Sequence, residues 1–295
     1  MTPSVRVVLV NWNTRDDLLT CLRSLRQARG VALAISVTDN ASTDGSADAV
    51  AHEHPEVCLH RSERNLGFGG GGNLAARDGQ EPYIMLLNPD STLLDPDFAP
   101  LLGMLESHPE VWIAGIKVCN PDGTVQMSCR RFPVYLAGLF RNTILGRLFP
   151  NNRYLRAYLM SDFTHDRPQP VDWVSGCAMV IRRSAWERLE GFDPQFFMYC
   201  EDVDLCYRAW QQGGQVWYFP QPVVTHTIGR SSDQAVNAMV TQFHLSHQRL
   251  YTKHFARQHG WLQNLLVRMA LNGRRDYLLM RNTISDLVHH RRRQP

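Results

Sequence analysis

The chain has 295 residues, of which 44% are hydrophobic and 20% charged, and its formal net charge is +3 at pH 7. This composition supports one large core and gives no indication of a nucleic-acid partner. The first apolar run, residues 7–10, is too short for a signal peptide, and no run of about 18 uncharged apolar residues follows, so no membrane-spanning helix is expected. Seven cysteines without a CxxC pair favour free thiols in a reducing cytoplasm.

Apolar runs alternate with helical patterns in the first part of the chain. Strands are predicted at residues 5–10, 32–38, 57–60 and 83–87. Helices are predicted around Leu18 to Leu25, at residues 46–54 and from Asn73 onward. This alternation predicts a mostly parallel sheet with helices on both faces, in which ligands bind beyond the carboxyl ends of the strands. The polar clusters that follow predicted strands, and therefore mark the expected site, are residues 11–13, 39–44 and 88–91.

Residues 123–161 differ from the rest in charge. Between Asp122 and Asp162 there is no acidic residue, whereas arginines interleave with apolar residues. These arginines are Arg130, Arg131, Arg141, Arg147, Arg153 and Arg156. The pattern predicts a basic amphipathic insertion.

The second half of the chain returns to the sheet pattern and then becomes helical. Strands are predicted at residues 171–181 and 215–219, with helices at 186–189 and 204–211. A helical pattern then runs from Gln234 to the end. We therefore expect a main domain at residues 1–232 and a basic, helical extension at residues 233–295.

Asp39 opens the run Asp-Asn-Ala-Ser-Thr-Asp-Gly-Ser directly after a predicted strand. A carboxylate there can accept hydrogen bonds from a base N–H or from ribose hydroxyls. Asp, Ser and Thr are also typical of turns and helix caps. Binding by Asp39 and capping by Thr43 or Asp44 are compatible with each other.

A glycine-rich run, Asn65-Leu-Gly-Phe-Gly-Gly-Gly-Gly-Asn73, contains a formal GxGxxG. A dinucleotide fingerprint needs these glycines directly after the first strand, where this chain has Asn11-Trp12-Asn13. The expected use of the glycines is close approach of the backbone to a ligand at a helix start, and the alternative is a flexible loop.

Two further clusters carry acids. Asn88-Pro89-Asp90 follows the fourth predicted strand, where a carboxylate can hold Mg2+ or Mn2+ against a diphosphate, although a Pro-Asp turn has the same pattern. His226, near the end of the last strand, is a candidate second ligand.

Glu201, Asp202 and Asp204 open a helix beside aromatic residues. Crowded carboxylates suit general-base work, and a charged first helical turn is the alternative.

Taken in this order, the motifs resemble those of the inverting glycosyltransferases of family 2. The segments that carry the resemblance are Val-Val-Leu-Val-Asn-Trp-Asn, Asp-Asn-Ala-Ser-Thr-Asp-Gly-Ser, Asn-Leu-Gly-Phe-Gly, Asn-Pro-Asp and Glu-Asp-Val-Asp-Leu, within residues 5–232. The run Val-Asp-Trp-Val-Ser-Gly-Cys-Ala at residues 171–178, together with Asn-Pro-Asp and His226, resembles the rhamnosyltransferase-like branch. The resemblance implies the GT-A fold, a Rossmann-like α/β fold with a mixed sheet and helices on both faces.

The resemblance also implies roles for individual residues. Asp202 would be the general base, with Glu201 beside it. Asp90 and His226 would bind a divalent metal, Mn2+ or Mg2+, because Asn88 replaces the first acid of the usual Asp-x-Asp. Asp39 would contact the nucleotide base. The other positions expected to line the nucleotide-sugar site are Asn11, Asn13, Asn65, Gly67, Phe68, Gly69, Asn88, Trp173 and Gly176.

The implied reaction moves a sugar from a nucleotide-sugar, with dTDP-rhamnose as the best match, to a hydroxyl of a glycan or a polyprenyl-linked acceptor in cell-surface polysaccharide assembly. The alternatives are a hexose or galactofuranose donor, a nicotinamide-dependent oxidoreductase that would use the GxGxxG, and a non-catalytic carbohydrate-binding protein of the same fold.

The basic segments indicate a second kind of partner. Trp261, Leu262, Leu265, Leu266 and Met269 form an apolar helical stripe that precedes an arginine-rich end. Together with the basic insertion, this pattern predicts peripheral contact with an anionic membrane surface, such as the inner face of the plasma membrane, or contact with a lipid-diphosphate acceptor. A solvated tail packed on the domain and oligomerisation through the same stripe are the alternatives, and the sequence does not fix the oligomeric state.

Overall fold

The computed structural model describes residues 3–133, 135, 153–227 and 235–291, and for residues 154 and 285–291 the backbone alone. Its strands are β1 (Ser4–Asn11), β2 (Ala32–Asp39), β3 (Cys58–Arg61), β4 (Tyr83–Leu87), β5 (Ser91–Asp95), β6 (Val111–Cys119), β7 (Cys129–Arg130), β8 (Gln169–Pro170), β9 (Trp173–Val174), β10 (Ala178–Arg182) and β11 (Gln215–His226). Its helices are α1 (Arg15–Leu25), α2 (Ser46–Glu53), α3 (Gly67–Ala75), α4 (Ala99–Ser107), α5 (Arg153–Leu159), α6 (Arg183–Arg188), α7 (Glu201–Gln211), α8 (Val236–Leu250) and α9 (Trp261–Arg291). A π-helical turn (Tyr251–Phe255) and a 3-10 turn (Ala256–Gln258) lie between α8 and α9.

One mixed sheet organises the described residues, in the strand order β3-β2-β1-β4-β10-β6-β11-β5, with β8 paired to β11. Strands β3, β2, β1 and β4 are parallel, whereas β10 is antiparallel to both β4 and β6. Strands β7 and β9 form a separate antiparallel pair. The α/β class with a mixed sheet, predicted from the sequence, is therefore confirmed.

Strand β1 shows how the sheet separates two apolar layers. Val7 and Leu9 belong to one buried cluster, together with Leu22 of α1, whereas Val8 belongs to a second cluster with Trp186 of α6. Successive side chains of a strand point to opposite faces, so neighbours in β1 serve different layers. A strand covered on both faces reads as a continuous apolar run, as residues 7–10 do.

Two predicted boundaries differ most from the structure, and the sheet pattern predicted at residues 171–181 is divided between β9 and β10. The third helix begins at Gly67 and not at Asn73. The last strand does not end at residue 219 but continues to His226. Its pairing with β6 shifts register between Phe219 and Val223, which accommodates the two prolines of this segment before pairing resumes up to Thr225.

The helical C-terminal part is present as α8 and α9. The predicted boundary between residues 232 and 233, the centre of the basic insertion, Arg141 and Arg147 lie outside the described residues. Across the described helices, none combines the length and apolar character that crossing a bilayer requires. All seven cysteines are free thiols, and Cys58 is exposed.

Candidate active site

Asn11 and Asp39 end two adjacent parallel strands and are direct partners in the register of β1 and β2. The Asn11 amide donates hydrogen bonds to Asp39 Oδ2 and to Ser42 Oγ, both at 3.1 Å. The Ser42 N–H donates to Asp39 Oδ1 at 3.0 Å. Both strand-end residues are buried, so the carboxylate is held in one orientation at the edge of the sheet where ligands of such folds bind.

Asn13 joins the loops that follow β1 and β2. Its backbone is left-handed, with φ of 52°, a conformation that asparagine adopts more readily than most residues. Its N–H donates to Ser42 Oγ at 3.0 Å, and its side-chain oxygen accepts the Thr43 N–H at 2.7 Å. The two loops therefore form one connected surface beside Asp39.

Asp44 accepts hydrogen bonds at the starts of two helices. Its carboxylate accepts the N–H of Arg15 at 2.9 Å and that of Ser46 at 3.0 Å. Burial opposes its ionisation, but these bonds and the Ser46 hydroxyl lower its pKa overall. Capping by Asp44 thus coexists with a fixed Asp39.

The glycines of α3 contact protein where a ligand was expected. A Cβ on Gly67, whose φ is +75°, would lie 1.9 Å from the Phe197 carbonyl oxygen, and one on Gly71 would lie 2.7 Å from Val10 Cγ1. Glycine is a poor helix former, so this helix forms because the missing side chains allow close packing. The missing side chains thus allow α3 to contact β1 and the Phe192–Phe197 segment, and the expected approach of these glycines to a ligand stays a prediction.

The start of α3 is nevertheless tied to the strand-end polar cluster. Asn65 Oδ1 accepts the Gly67 N–H at 2.8 Å, and Asn40 Nδ2 donates to the Gly67 carbonyl at 3.0 Å. Phe68 lies against Gly176, where an added Cβ would be 3.1 Å from its ring. A Cβ on Gly69 would be 3.0 Å from the Phe196 carbonyl. Helix α3 therefore connects the loop after β2 with the segment that precedes the acidic helix.

Asn88, Asp90 and His226 meet although they are far apart in the sequence. His226 Nε2 lies 3.1 Å from Asn88 Nδ2 and 3.3 Å from Asp90 Oδ1. Extension of β11 to His226, beside β5, brings them together. Asp90 Oδ1 is buried and has no hydrogen-bond partner among the described residues.

Gln126, for which no motif predicts a role, fixes the His226 ring. Its amide nitrogen donates to the His226 carbonyl at 2.7 Å and to Asn120 Oδ1 at 2.8 Å, so its oxygen accepts from His226 Nδ1 at 3.1 Å. With Nδ1–H as donor, the neutral ring presents the lone pair of Nε2 toward Asn88 and Asp90. This is the tautomer that a metal ligand requires.

Glu201 and Asp202 begin α7. Asp202 Oδ2 accepts the Gly176 N–H at 3.0 Å, and Oδ1 accepts the Val203 N–H at 2.8 Å. Burial raises the pKa of Asp202 above its ordinary value, although these two donors offset part of the shift. Burial raises the pKa of Glu201 further, with the Asp202 charge adding to it. Of the two acids, Glu201 is therefore the one whose protonation burial favours more.

The turn before α7 has an unusual backbone. Tyr199 and Cys200 have φ of 67° and 66°, and each such residue costs about 1–3 kcal/mol. Helix α8 holds this turn, because Ser246 Oγ donates to the Met198 carbonyl at 2.7 Å and Cys200 Sγ lies 3.3 Å from His247 Nδ1. The C-terminal helices therefore help to position the acids.

Asp204 is fully buried and joins α7 to the segment after α8. It accepts hydrogen bonds from Arg208 at 2.7 Å, Lys253 at 2.6 Å and His254 at 2.7 Å. Burial opposes its ionisation, but His254, Arg208 and Lys253 together lower its pKa. These contacts are structural and hold α7 against the segment after α8.

A cavity of about 680 Å3 lies between the acids and the metal-ligand candidates. The predicted site residues that line it are Phe68, Asn88, Trp173, Gly176, Glu201, Asp202 and His226. The cavity does not include Asn11, Asn13, Asp39, Asn65, Gly67, Gly69 and Asp90 among its lining residues. The predicted site is thus divided into a strand-end cluster around Asp39 and a cavity around Asp202.

Trp173 forms one wall of the cavity, and its indole N–H donates to the Arg131 carbonyl at 2.9 Å. Arg130, which belongs to the predicted basic insertion, lines the cavity, with its guanidinium carbon 5.3 Å from the Trp173 ring. Arg131 and Arg156 are paired with Asp172 and Asp162. The described part of the insertion is therefore built into the domain.

The chain is similar in sequence to known glycosyltransferases. The family model described as "Glycosyltransferase like family 2" matches residues 3–243. The N-acetylglucosaminyl-diphospho-decaprenol L-rhamnosyltransferase of Mycobacterium tuberculosis is 31% identical over 298 residues, 96% of this chain and 95% of that protein. The rhamnosyltransferase WbbL of Escherichia coli is 30% identical over 179 residues, 56% of this chain and 64% of that protein.

Solved structures show the same fold. The mannosyltransferase PcManGT of Pyrobaculum calidifontis, in complex with GDP-Man and Mn2+, has a TM-score of 0.58 at 18% identity over 95% of this chain and 72% of that chain. Residues 1–349 of S. aureus TarS, in complex with UDP, have a TM-score of 0.54 at 13% identity over 92% of this chain and 71% of that chain. The oxidoreductase alternative has no support, because its glycines pack against protein. The family match and the mycobacterial relative together show that the chain belongs to glycosyltransferase family 2 and is a sugar-transferring enzyme of the GT-A fold.

Proposed function

We propose that the enzyme transfers rhamnose from dTDP-rhamnose, with inversion, to a hydroxyl of a sugar carried on a polyprenyl diphosphate. Two relatives named as rhamnosyltransferases support the donor, and the one matched along 96% of this chain acts on a decaprenol diphosphate according to its name. The observation that carries the mechanism is a buried carboxylate, Asp202, whose pKa is raised and whose oxygens are oriented by two N–H groups beside the cavity.

The strand-end cluster is the proposed nucleotide site. Asp39 is fixed by Asn11 and Ser42, so its remaining lone pairs are available to the base N–H or the ribose hydroxyls without reorientation. Asn13 fixes the neighbouring loop, and Asn65 shapes the loop before α3. Gly67 and Gly69 then serve this site indirectly, by letting α3 pack closely.

Asp90 and His226 are the proposed ligands of a divalent cation, Mn2+ or Mg2+. The residues fit such an ion, because a buried carboxylate oxygen without a partner lies 3.3 Å from an imidazole nitrogen that carries a lone pair. When bound, the cation would offset the charge of the diphosphate. Asn88, which replaces an acid, contributes a hydrogen bond to His226.

Asp202 is the proposed general base. The acceptor hydroxyl loses its proton to Asp202 as its oxygen forms a bond to the anomeric carbon. The bond from that carbon to the diphosphate oxygen breaks on the opposite face, and the configuration inverts. The raised pKa of Glu201 favours its neutral form, which adds no second negative charge beside the base. Trp173 and Gly176 form the adjacent wall for the sugars.

Helix α9 is the proposed site of contact with the inner face of the plasma membrane. Trp261 is 78% exposed and Met269 60% exposed, and both belong to the apolar stripe that precedes the arginine-rich end. Apolar side chains flanked by arginines suit an anionic surface. Cosedimentation with vesicles containing anionic lipids, and not with zwitterionic vesicles, would support this assignment, and a salt-insensitive dimer that masks the stripe would contradict it.

A thermal-shift screen of nucleotide-sugars, with and without Mn2+, tests the donor. Because a ligand of the folded state raises the Tm, dTDP-rhamnose should give the largest shift. The shift should require Mn2+, disappear in Asp90→Ala and persist in Asp202→Asn. A larger shift with a hexose or galactofuranose donor would reject rhamnose and keep the transferase.

Product analysis tests the stereochemistry. With dTDP-rhamnose and an alkyl diphospho-N-acetylglucosamine acceptor, NMR should show one product whose anomeric configuration is opposite to that of the donor. Retained configuration would reject Asp202 as a base in a single displacement.

A further inference from the structure

Arg130 occupies an enclosed position on the wall of the cavity. It pairs with Trp173 in the register of β7 and β9. Its guanidinium carbon lies 5.3 Å from the Trp173 ring and 6.0 Å from the Tyr158 ring. Cation–π contacts with two rings fix the position of the guanidinium and leave its N–H groups as donors.

One of those donors, Nε, has no partner among the residues that the structure describes. Arg130 Nε is buried without a hydrogen-bond partner, and among the described residues no carboxylate lies within ion-pair distance of this arginine. Ser128 Oγ, also on the cavity wall, is likewise buried without a partner. Leaving a buried donor unpaired costs about 1–3 kcal/mol, so the arrangement indicates a ligand that supplies the acceptors.

The adjacent arginine makes the contrast clear. Arg131 donates to Asp172 Oδ1 at 3.0 Å, its side chain is 51% exposed, and it does not line the cavity. Of the two neighbours, one is neutralised by a carboxylate of the chain and the other retains its charge inside the cavity. A guanidinium without a carboxylate in ion-pair contact calls for an anion with two oxygens, which its fork-like geometry binds best.

Arg130 lines the same cavity as Asp202, the proposed base that meets the acceptor. Its charge acts on Asp202, where it lowers the pKa of the base and offsets part of the effect of burial. The proposed ligands of the donor diphosphate, Asp90 and His226, are positioned instead by the ends of β4, β5 and β11. A second anionic group, distinct from the donor diphosphate, is therefore expected near Arg130.

We propose that Arg130 binds a phosphoryl oxygen of the acceptor, and thereby selects sugars carried on a diphosphate over neutral glycosides. This inference rests on the proposed function, because it assigns one residue to one part of the proposed acceptor. It adds a specificity-determining contact that is separate from the base and from the donor site.

Calorimetric titration tests the inference without requiring turnover. The protein is first saturated with dTDP and Mn2+, so that the donor site is filled. Octyl diphospho-N-acetylglucosamine and octyl N-acetylglucosaminide are then titrated separately. Arg130→Gln should weaken the diphosphate compound at least tenfold, since charge-assisted bonds are lost, and should change the neutral compound less than about twofold. Arg130→Lys should be intermediate, because an ammonium supplies charge without the fork.

Arg131→Gln is the matched control and should leave both affinities unchanged. Equal weakening of both compounds by Arg130→Gln would overturn the inference, as would weakening of dTDP instead, or failure of the diphosphate compound to bind the unaltered protein. Inorganic pyrophosphate is titrated as well. If it binds as tightly as the octyl diphosphate compound, and with the same dependence on Arg130, the site binds free anions and the acceptor assignment is rejected. The unaltered protein could also fail to transfer rhamnose, while its binding of the diphosphate compound still depends on Arg130. That result would reject only the proposed donor.

Discussion

The strand-end cluster and the cavity differ in whether their buried polar atoms have hydrogen-bond partners. Around Asp39, side chains bond to one another, with Asn11 and Ser42 holding both carboxylate oxygens. Around the cavity, buried atoms are left without partners among the described residues. These atoms are Asp90 Oδ1, Ser128 Oγ, Arg130 Nε and Glu201 Oε2. The first region is complete in the protein alone, whereas the second has polar groups that substrates are expected to satisfy.

The difference follows from how each region is built. The strand-end cluster grows from parallel strands whose register fixes Asn11 beside Asp39. The cavity is assembled from a two-residue strand pair, a turn with left-handed residues and a helix held from outside by α8. Changes in the first region should therefore affect stability or donor binding, and changes in the second should affect chemistry.

The largest expected effect is on chemistry in the cavity. Asp202→Asn keeps an oxygen that can accept one of the two N–H groups but removes the base, so kcat should fall by about 10²–10⁴. Donor affinity, measured by titration with dTDP, should stay within about twofold if chemistry alone is affected. A loss of donor affinity as large as the fall in kcat would show that Asp202 binds the donor. It would contradict the separation of donor binding and chemistry between the two regions.

A large effect on stability is expected from the helix that supports both regions. Gly67→Ala would introduce a Cβ 1.9 Å from a carbonyl oxygen at a positive φ, and should lower the free energy of unfolding by about 3 kcal/mol. Gly103→Ala, in α4 with open space around the added carbon, should raise it by about 0.4–1 kcal/mol. Chemical denaturation of both variants measures the difference, and similar stabilities would contradict the packing argument.

An intermediate effect, on the affinity for Mn2+, is expected when the His226 imidazole loses its partner. Gln126→Ala removes the acceptor that sets the tautomer of His226, so the affinity for Mn2+ should fall by about 10–100-fold. Gln221→Ala, on the same strand but near Asp95, is the control and should bind Mn2+ normally. Electron paramagnetic resonance of free Mn2+ reports both affinities. Unchanged binding in Gln126→Ala would remove His226 from the proposed ligands.

The smallest expected effect is on the pH dependence of kcat/KM, and it concerns Glu201 and Asp202. Because burial raises the pKa of Asp202, the acid limb of kcat/KM should lie above the ordinary aspartate range, with activity lost as the pH falls through that raised pKa. Glu201→Gln should hardly move this limb, because the raised pKa of Glu201 favours its neutral form there. A shift of the limb to lower pH would show that Glu201 is ionised beside the base.

Local patterns sufficed for much of the molecule. Continuous apolar runs predicted β1 and β4, and the polar residues after them predicted where Asn11, Asp39 and Asn88 lie. The patterns failed where long-range contacts decide. Glycine propensity argues against a helix at Gly67, and only packing against Phe197, far along the chain, makes that helix favourable.

Residues of the site that no pattern indicated are ordinary in their local sequence. Gln126 is one polar residue in a loop, and its value comes from a partner 100 positions away. Arg130 resembles its neighbours in a basic stretch, and only the fold separates an arginine in a cavity from one paired at the surface. Such roles depend on tertiary neighbours, which composition and periodicity do not encode.

The contacts of Asp204, Met198 and Cys200 with the C-terminal helices bear on how the chain can be divided. The base helix α7 and the turn before it are held by Ser246, Lys253 and His254, all beyond residue 232. A fragment that ended at that residue would keep the complete sheet and the nucleotide cluster. It would lose the partners of a fully buried carboxylate, so a shortened enzyme would bind its donor and fail at transfer. Shortened or chimaeric enzymes therefore need to carry α7, α8 and the π-helical turn after α8 together.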